Sequence, residues 1–397
     1  MSQDVKSDLL LLGVGGGGCR LASAVSASYG DGLRSLGVDT DALSNREASA
    51  GGMNCLLFGG ARLAGHGAGG DAVNGRMAAQ DDIQNLTPHL DGVRTVVVVA
   101  SLGAGTGSGS TPEIVKALHD MGIATLCFLT RPFAFEGEER RKTAERVLPM
   151  IDENADSMVV VDLDDLFADT QAEMLEDAVR KADATMAAGI TLLWRLVTKP
   201  GFIRMDAEHL HTMLLRGGNA RFTYAAASGD DRAAKVVEAL RECRLMRSGE
   251  SLAKANAILL GILAGADLRL AEIGDVMGKL RALCKPECDI EMGTVLDPQF
   301  NGRIELVAMT FESWMAAVVA EEIQKEGAVT VASDQPPVAE EFPIHPGVKK
   351  GRGGAKGSKL SFGATGRGKF QNVEPTVFKG QDLDIPTFMR RGIQLDR

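Results

Sequence analysis

A glycine-rich segment at residues 101–111 constrains the fold of this chain more than any other feature. It reads SLGAGTGSGST, follows the apolar run at residues 95–100 and precedes a segment with helical spacing. A glycine loop that joins a strand to a helix is typical of phosphate binding, because the first N–H groups of the helix lack partners and the helix dipole favours anions. The sequence therefore predicts a phosphate-binding loop, followed by a helix that begins at Pro112. The alternative is a turn whose glycines only let strand and helix pack closely.

Two further glycine-rich segments precede this loop and leave two classes of nucleotide-binding protein open. Residues 13–18 follow a strand-like apolar run, and Asp39 comes about twenty residues later, a spacing typical of dinucleotide-binding folds. An NAD-dependent oxidoreductase is therefore one hypothesis. Residues 65–70 form the third segment, and several glycine loops around one polyphosphate favour a nucleoside triphosphate. The loop at residues 101–111 lacks the Lys of the Walker phosphate loop, which disfavours an ordinary P-loop nucleotidase.

The composition is that of a large globular protein. The chain has 397 residues, 45% of them hydrophobic, and a net charge of −10. Its apolar runs are far shorter than the roughly 20 residues that span a bilayer, and its N-terminus has no signal-peptide pattern. We therefore expect a cytoplasmic protein with no direct membrane insertion and no nucleic-acid partner. The six cysteines are scattered, so we expect reduced thiols, and zinc binding by Cys284 and Cys288 is disfavoured.

Apolar runs that alternate with helix-length segments predict an α/β fold with a parallel sheet. The runs lie at residues 9–13, 95–100, 123–129 and 157–161. Residues 171–198 predict one long helix that ends before Pro200, and an α+β region follows it. Residues 347–371 are rich in Gly, Lys and Arg and predict a flexible spacer, with contact to anionic lipid as the alternative. The predicted divisions are a nucleotide-binding domain at 1–170, a central helix at 171–199, an α+β domain at 200–325, a linker at 326–380 and a C-terminal peptide at 381–397.

Several short motifs resemble those of the tubulin/FtsZ superfamily and occur in the order in which that superfamily carries them. The loop GAGTGSG at residues 103–109 is similar to the signature GGGTG[TS]G, with Ala104 in place of one glycine. The other matching segments are GVGGGG at 13–18, DTDA at 39–42, RPFAFEG at 131–137, TKPG at 198–201, SGDDR at 228–232, AGADLRL at 264–270 and LDP at 296–298. The terminal LDIPTF at 383–388 resembles the C-terminal peptide of bacterial FtsZ. The chain is thus identified as a divergent member of the bacterial FtsZ family over essentially its whole length.

This resemblance implies a tubulin-like protein that binds GTP or GDP with Mg²⁺ and assembles head-to-tail with itself into filaments of the mid-cell division ring. GTP would be hydrolysed between consecutive subunits, because the next subunit inserts an acidic loop that orients the attacking water. The implied nucleotide-binding residues are Gly15, Gly16, Gly17, Gly18, Ala68, Gly69, Gly70, Gly103, Ala104, Gly105, Thr106, Gly107, Ser108, Gly109, Glu136, Arg140 and Asp183. Among them, Glu136 would contact the ribose, Arg140 the phosphate side and Asp183 the guanine edge.

The segment that matches the family's catalytic loop departs from the family pattern. That pattern is G-x-x-N-x-D-x-x-D, whereas residues 201–209 read GFIRMDAEH. The resemblance implies Asp206 as a catalytic residue, with Glu208 and His209 as further candidates, although Arg204 replaces the Asn and His209 the second Asp. Glu208 would point elsewhere, since one residue turns a helix by about 100°. A neutral His accepts a proton but lacks a fixed negative charge, so we expect slow GTP hydrolysis.

The segments that match the base pocket depart as well. Leu163 stands where the family has a guanine-contacting Asn, and Val179 stands where an aromatic ring commonly covers the base. Loss of a hydrogen-bonding group weakens discrimination more than loss of apolar area, so we expect weaker selection of guanine. A scaffold filament that binds nucleotide with almost no turnover is therefore an alternative within the superfamily.

The C-terminal segment predicts a partner-binding peptide. Apolar residues return after the basic spacer and lie between an acidic start and a basic end, as in a short amphipathic docking element. The residues implied to bind membrane-tethering division proteins are Asp384, Ile385, Pro386, Phe388 and Arg390. The alternative is a frayed tail without a binding role.

Overall fold

The computed structural model describes residues 8–30, 32–167, 174–199, 201–314, 377–378 and 381–382. The chain divides into two compact units, Met1–Ser333 and Asp334–Arg397. In the second unit, two short strands pair antiparallel, Val377–Phe378 and Gln381–Asp382. The predicted partner-binding residues 384–390 lie outside the described residues. Within the described part of the chain, no helix is both long and apolar enough to cross a membrane.

The first unit contains one ten-stranded sheet. In chain order its strands are β1 (Leu9–Val14), β2 (Ser35–Asp39), β3 (Asn54–Leu57), β4 (Thr95–Ser101), β5 (Ala124–Arg131), β6 (Ser157–Asp162), β7 (Gly218–Ser228), β8 (Ala257–Ala264), β9 (Asp289–Leu296) and β10 (Arg303–Phe311). The spatial order is β3-β2-β1-β4-β5-β6-β7-β10-β8-β9. The strands from β3 to β7 run parallel, and β10 is antiparallel to both of its neighbours. This confirms the predicted parallel sheet and its α+β continuation.

Helices cover both faces of this sheet. In chain order they are α1 (Gly15–Tyr29), α2 (Ala42–Ala50), α3 (Gly60–Leu63), α4 (Ala72–Asp82), α5 (Gly105–Asp120), α6 (Glu138–Asp152), α7 (Leu163–Phe167), α8 (Leu175–Thr198), α9 (Ala207–Gly217), α10 (Arg232–Glu242), α11 (Glu250–Lys254) and α12 (Leu270–Leu283). Short 3₁₀ helices occupy Ile83–His89, Ala134–Glu136, Arg244–Met246 and Pro298–Phe300.

The central strands are apolar at consecutive positions because each faces a helical layer on both sides. In β4, Val97 and Val99 belong to one hydrophobic cluster, whereas Val96 and Val98 belong to another on the opposite face. The long helix α8 contributes Met186, Ile190 and Leu193 to the first cluster. That cluster also takes in strands from both halves of the sheet, including β1 and β10. Helix α8 therefore connects the two halves through one continuous core.

The start of α5 differs from the prediction. The helix begins at Gly105 rather than at Pro112, so most of the glycine-rich segment forms its first turns, and Pro112 lies inside it. Glycine has low helix propensity and proline favours a first turn, which is why the sequence indicated a later start. Tertiary packing overrides that preference, because the small residues let α5 lie directly against the end of β4 and against α4. Helix α1 likewise begins within its glycine run, at Gly15.

Candidate active site

The predicted nucleotide-binding segments meet at one edge of the sheet, where the strand order reverses. Strands β1 and β4 are neighbours, and the chain continues outwards from them in opposite directions, to β2 and β3 and to β5 and β6. In open parallel sheets, ligands bind outside the carboxyl ends of the strands at such a reversal. Helix α1 follows β1 and helix α5 follows β4, so both helices begin at this point. Two sets of unpartnered backbone N–H groups and two positive dipole ends therefore converge there.

The two helix starts are in close contact. A Cβ atom on Gly15 would lie 2.9 Å from the backbone nitrogen of Gly107, so only a glycine lets α1 approach α5 here. Beneath them, the hydroxyls of Thr40 and Thr106 share a buried hydrogen bond of 2.7 Å. Neither helix has an acidic residue in its first turn. The arrangement can hold an anion without repulsion from its own first turns.

The glycines of these segments do not all have the same role. Cβ atoms on Gly18, Gly107 and Gly109 would come closer than 3.0 Å to the backbone oxygens of Val99, Ser101 and Ala72, respectively. These three glycines pack α1 and α5 against β4 and α4, as the close-packing alternative proposed. Gly105 is similar, because its Cβ would lie 2.7 Å from that of Ala68. By contrast, Gly16 is exposed and Gly17 is half-buried, which leaves their backbones accessible to a ligand.

The serine of the loop supports its own backbone. Gly103 N–H donates to Ser108 Oγ at 2.7 Å, and both residues are buried. Gly103 itself has a φ of +100°, in the region that favours glycine. The hydroxyls of Ser108 and Thr106, expected to be donors to a ligand, are thus each engaged inside the protein. They fix the curvature of the loop that presents Ala104.

The third glycine segment borders the same region. Ala68 is buried against Gly105, whereas Gly69 and Gly70 are exposed, with φ values of +63° and +77°. Asp71 follows them and caps α4 by accepting a hydrogen bond from Val73 N–H at 2.8 Å. Gly69 and Gly70 therefore form a short exposed turn between the buried Ala68 and the capped start of α4.

A cleft of about 410 Å³ brings together five of the predicted residues from distant parts of the chain. The predicted residues that line it are Gly17, Ala104, Glu136, Arg140 and Asp183, and Leu163 and Val179 line it as well. The sequence prediction missed other lining residues, namely Arg20, Ser101, Phe133 and Phe135. Arg20 was predictable in principle, because it lies three residues after Gly17 on one exposed face of α1. Phe133 and Phe135 stack with their ring centres 4.8 Å apart, and Phe135 is 69% exposed.

Two ion pairs organise the charged side chains of the cleft. Arg140 pairs with Glu136, whose other oxygen accepts a hydrogen bond from Phe133 N–H at 3.0 Å. Arg20 Nε donates to Asp183 Oδ2 at 2.7 Å, across the contact between α1 and α8. A nucleotide base that donates a hydrogen bond to Asp183 must therefore share this carboxylate with Arg20 or displace Arg20 from it. The cleft thus combines backbone donors, two arginines, two carboxylates and an exposed aromatic ring.

The predicted catalytic residues lie at the opposite edge of the sheet. Arg94, which immediately precedes β4, pairs with Glu208, and Thr95 Oγ1 lies 3.3 Å from His211 Nδ1. Helix α9 therefore begins beside the amino end of β4, whereas Ser101 at the carboxyl end of β4 lines the cleft. Seven residues of strand separate the two by roughly 20 Å. The nucleotide-binding and catalytic candidates are not brought together within one chain.

Each of the three catalytic candidates has a defined partner. Asp206 caps α9 by accepting a hydrogen bond from His209 N–H at 2.8 Å. Glu208 pairs with Arg94, whose guanidinium holds the pKa of Glu208 below its ordinary value. His209 Nε2 lies 3.3 Å from Glu291 Oε2 on β9. Arg94 and Glu291 were not predicted from the sequence.

Two protein-family models match this chain. A family model described as "Tubulin/FtsZ family, GTPase domain" matches residues 8–171, and one described as "FtsZ family, C-terminal domain" matches residues 218–312. The cell division protein FtsZ of Pseudomonas putida is 30% identical over 390 residues, which cover 96% of each chain. Cell division protein FtsZ 2 of Rhizobium meliloti is 30% identical over 78% of this chain and 90% of its own. FtsZ of Magnetospirillum gryphiswaldense is 29% identical over 86% of this chain, which spans only 59% of that longer protein.

Two solved structures have a fold similar to that of this chain. An FtsZ dimer from M. jannaschii superposes with a TM-score of 0.71 at 25% identity, covering 78% of this chain and 89% of that one. CetZ2 of Haloferax volcanii, in a GTPγS-bound protofilament, has a TM-score of 0.62 at 22% identity, covering 81% of this chain and 98% of its own. The second similarity concerns the fold alone.

Proposed function

The chain belongs to the tubulin/FtsZ GTPase family, and from that premise we propose that it is a cytoskeletal GTPase of bacterial cell division that assembles head-to-tail filaments. Its relatives carry the name cell division protein FtsZ. The family match supports guanine nucleotide binding and GTP hydrolysis, and the FtsZ dimer structure supports self-association. The oxidoreductase hypothesis has no support from these matches.

One observation carries the proposal: the nucleotide cleft and the catalytic loop lie at opposite edges of one sheet. Ser101 borders the cleft and Arg94 contacts Glu208 of the loop region, with β4 between them. A subunit therefore cannot apply its own loop to its own nucleotide. Head-to-tail stacking places the loop of one subunit on the cleft of the next, and such a heterologous contact between different faces extends without closing.

Within the cleft, the residues present suit a nucleoside triphosphate. The backbone donors at the starts of α1 and α5 would bind the phosphates, with Gly69 and Gly70 on the adjacent loop and Arg140 nearby. Glu136 would contact the ribose, and Asp183, with Phe135 close by, would contact the base. The described residues offer no group of three or more His, Cys, Asp or Glu side chains placed to hold a metal ion. Magnesium would therefore be held mainly by the phosphates themselves and by water.

The loop of the neighbouring subunit would complete this site. Asp206 supplies a carboxylate at the exposed start of α9, which can orient a water molecule towards the terminal phosphate. Arg204 is exposed beside it and brings a positive charge where the family pattern has a neutral amide. Because the second carboxylate of the pattern is absent at position 209, we expect turnover to be slow.

Cellular placement is part of the proposal. We expect a cytoplasmic protein at the mid-cell division ring, tethered to the membrane by partners that bind the C-terminal peptide at residues 384–390. Weak contacts of single peptides would add up along a filament, because many tethered copies act together. Deletion of residues 383–397 should leave assembly unchanged and abolish binding to tethering proteins, measured by filament co-sedimentation.

The test of the proposed function is right-angle light scattering with parallel phosphate release, using the full chain with Mg²⁺ and GTP. We expect scattering and slow phosphate release with GTP, and neither of them with ATP or GDP. Equal assembly with ATP and with GTP would contradict the proposed preference for guanine nucleotides. Scattering without phosphate release would identify the scaffold alternative, and absence of both scattering and nucleotide binding would refute the proposed function.

A further inference from the structure

The catalytic loop carries an imidazole where the FtsZ pattern has its second carboxylate, and a carboxylate from another element lies beside that imidazole. His209 Nε2 is 3.3 Å from Glu291 Oε2. Their side chains are 44% and 31% exposed, so the pair is accessible to water and to a neighbouring subunit. The two residues belong to α9 and β9 and are far apart in the chain.

Strand β9 also supports the loop itself. Ile203 N–H donates to Thr294 Oγ1, and Thr294 N–H donates to the carbonyl oxygen of Ile203, both at 2.9 Å. Gly293 lies against Met205, since a Cβ there would be 3.3 Å from that of Met205. Glu291 and Gly293 are two residues apart and therefore point to the same face of β9. The loop and the carboxylate that contacts its last residue thus share one rigid strand.

The other charged groups around His209 are already engaged. Glu208 pairs with Arg94, and the Asp206 carboxylate accepts the His209 backbone N–H. On the same face of β9, Asp289 lies 3.9 Å from Arg216, which is about two turns after His209 along α9. His211 faces the other way, towards Thr95 at the amino end of β4. Among the described residues, Glu291 is the carboxylate within ion-pair distance of the His209 ring.

We propose that Glu291, acting through His209, replaces the missing second carboxylate of the catalytic loop; this inference rests on the proposed function. His209 donates its Nε2–H to Glu291, which orients the ring and leaves Nδ1 to accept a proton. A neutral imidazole with an ionised glutamate carries one negative charge, the same as a single aspartate. His209 is the catalytic residue of this pair, and Glu291 is its positioning residue.

Hydrolysis of a GTP bound to the adjacent subunit forms one bond, breaks another and moves a proton to His209. The oxygen of the attacking water forms a bond to the γ-phosphorus, and the bond from that phosphorus to the β–γ bridging oxygen breaks. GDP leaves with the electron pair of the broken bond. One proton of the water moves to His209 Nδ1 and the other stays on the oxygen now bonded to phosphorus, while Glu291 stabilises the resulting imidazolium by its negative charge.

The test compares the rates of GTP hydrolysis by assembled full-length protein for the wild type, E291Q, H209D and H209D/E291Q. In E291Q we expect kcat to fall about 10-fold or more, as for carboxylates that orient a metal-ligating His. H209D restores a carboxylate at the position itself, so adding E291Q to H209D should change its rate less than about 2-fold. This loss of the E291Q effect in the H209D background distinguishes a role through His209 from a merely structural one.

The matched control is D289N, which removes a carboxylate from the same face of β9 that contacts Arg216 rather than the loop. It should keep the wild-type rate. A wild-type rate in E291Q, an equal loss on adding E291Q to H209D, or a fall in D289N that matches that of E291Q would overturn the inference, while wild-type assembly and GTP turnover would still support the proposed function. A wild type that neither assembles nor releases phosphate would overturn both. Assembly of E291Q, measured by light scattering, checks that this variant folds.

Discussion

At the scale of single residues, the cleft depends on backbone groups that a side chain can block. Ala104 is exposed at the N-cap of α5 and lines the cleft, at the one position of the GAGTGSG loop that is not a glycine in this chain but is in the family signature. It makes no side-chain cap, so the first N–H groups of α5 remain available to a ligand. Ala104 is therefore a place where helix stability and anion binding compete for the same donors.

Replacing Ala104 by Asp should separate the two effects. The new carboxylate would cap α5 and raise the free energy of unfolding by about 1 kcal/mol. It would also occupy and repel the phosphate position, so we expect nucleotide affinity to fall by a factor of about 100. Chemical denaturation and fluorescent-nucleotide titration measure the two quantities. A104G, which restores the family residue, is the control and should retain binding; an A104D variant that binds normally would contradict the assignment of the phosphate site.

His211 makes the start of α9 sensitive to acid. Burial lowers its pKa, and the positive charge of Arg94 lowers it further. The unfolded chain then binds the proton more readily than the folded one, so stability is complete above about pH 6.5 and is lost as the pH falls below that value. We expect H211Q to flatten the decline in unfolding free energy between about pH 6.5 and 5. The exposed His119, changed to Gln, should leave the decline unchanged, and identical pH slopes for H211Q and wild type would refute this account.

At the scale of secondary-structure elements, α5 shows why some of the site was predictable from the sequence and some was not. The strands and the meeting of the glycine-rich segments could be predicted, because apolar periodicity and family motifs are properties of consecutive residues. The start of α5 could not, since its glycines adopt a helix only where β4 and α4 pack against them. Glu291 and Arg94 were also beyond local patterns. Their positions beside the catalytic loop depend on how distant strands and α9 are arranged in the sheet.

A pair of glycine substitutions tests the packing role of α5. A Cβ on Gly107 would meet the carbonyl oxygen of Ser101, which is backbone and cannot rotate away. We expect G107A to lower the free energy of unfolding by about 1–3 kcal/mol, as overpacking does elsewhere. Gly274 in α12 has no atom within 4 Å of its Cβ position, so G274A should stabilise the protein by about 0.5–1 kcal/mol. Urea denaturation measures both, and equal effects would show that helix propensity rather than packing governs α5.

At the scale of the whole molecule, the separation of cleft and loop predicts complementation between inactive variants. D206N removes the proposed catalytic charge but keeps the cap of α9, because Asn is also a good N-cap residue. A104D keeps the loop but should bind nucleotide about 100-fold more weakly. Each should release little phosphate alone. In an equal mixture, a junction between the cleft of D206N and the loop of A104D is intact, so the mixture should release phosphate faster than the sum of the two variants alone.

Phosphate release from the mixture, measured at constant total protein, decides whether hydrolysis occurs between subunits or within a single subunit. A mixture no more active than the sum of its components would mean that each subunit hydrolyses its own nucleotide, or that the faces do not meet. Wild-type protein mixed with A104D serves as the control for dilution of active junctions.

The course of β4 has a mechanical consequence. It runs from the edge that carries the proposed catalytic loop to the edge that carries the proposed nucleotide cleft, with β1 and β5 parallel on either side. Tension along a head-to-tail filament would act along the length of this strand, so its backbone hydrogen bonds to both neighbours would bear load together in shear instead of opening one after another. A pulled filament should therefore yield at its subunit junctions before its subunits unfold.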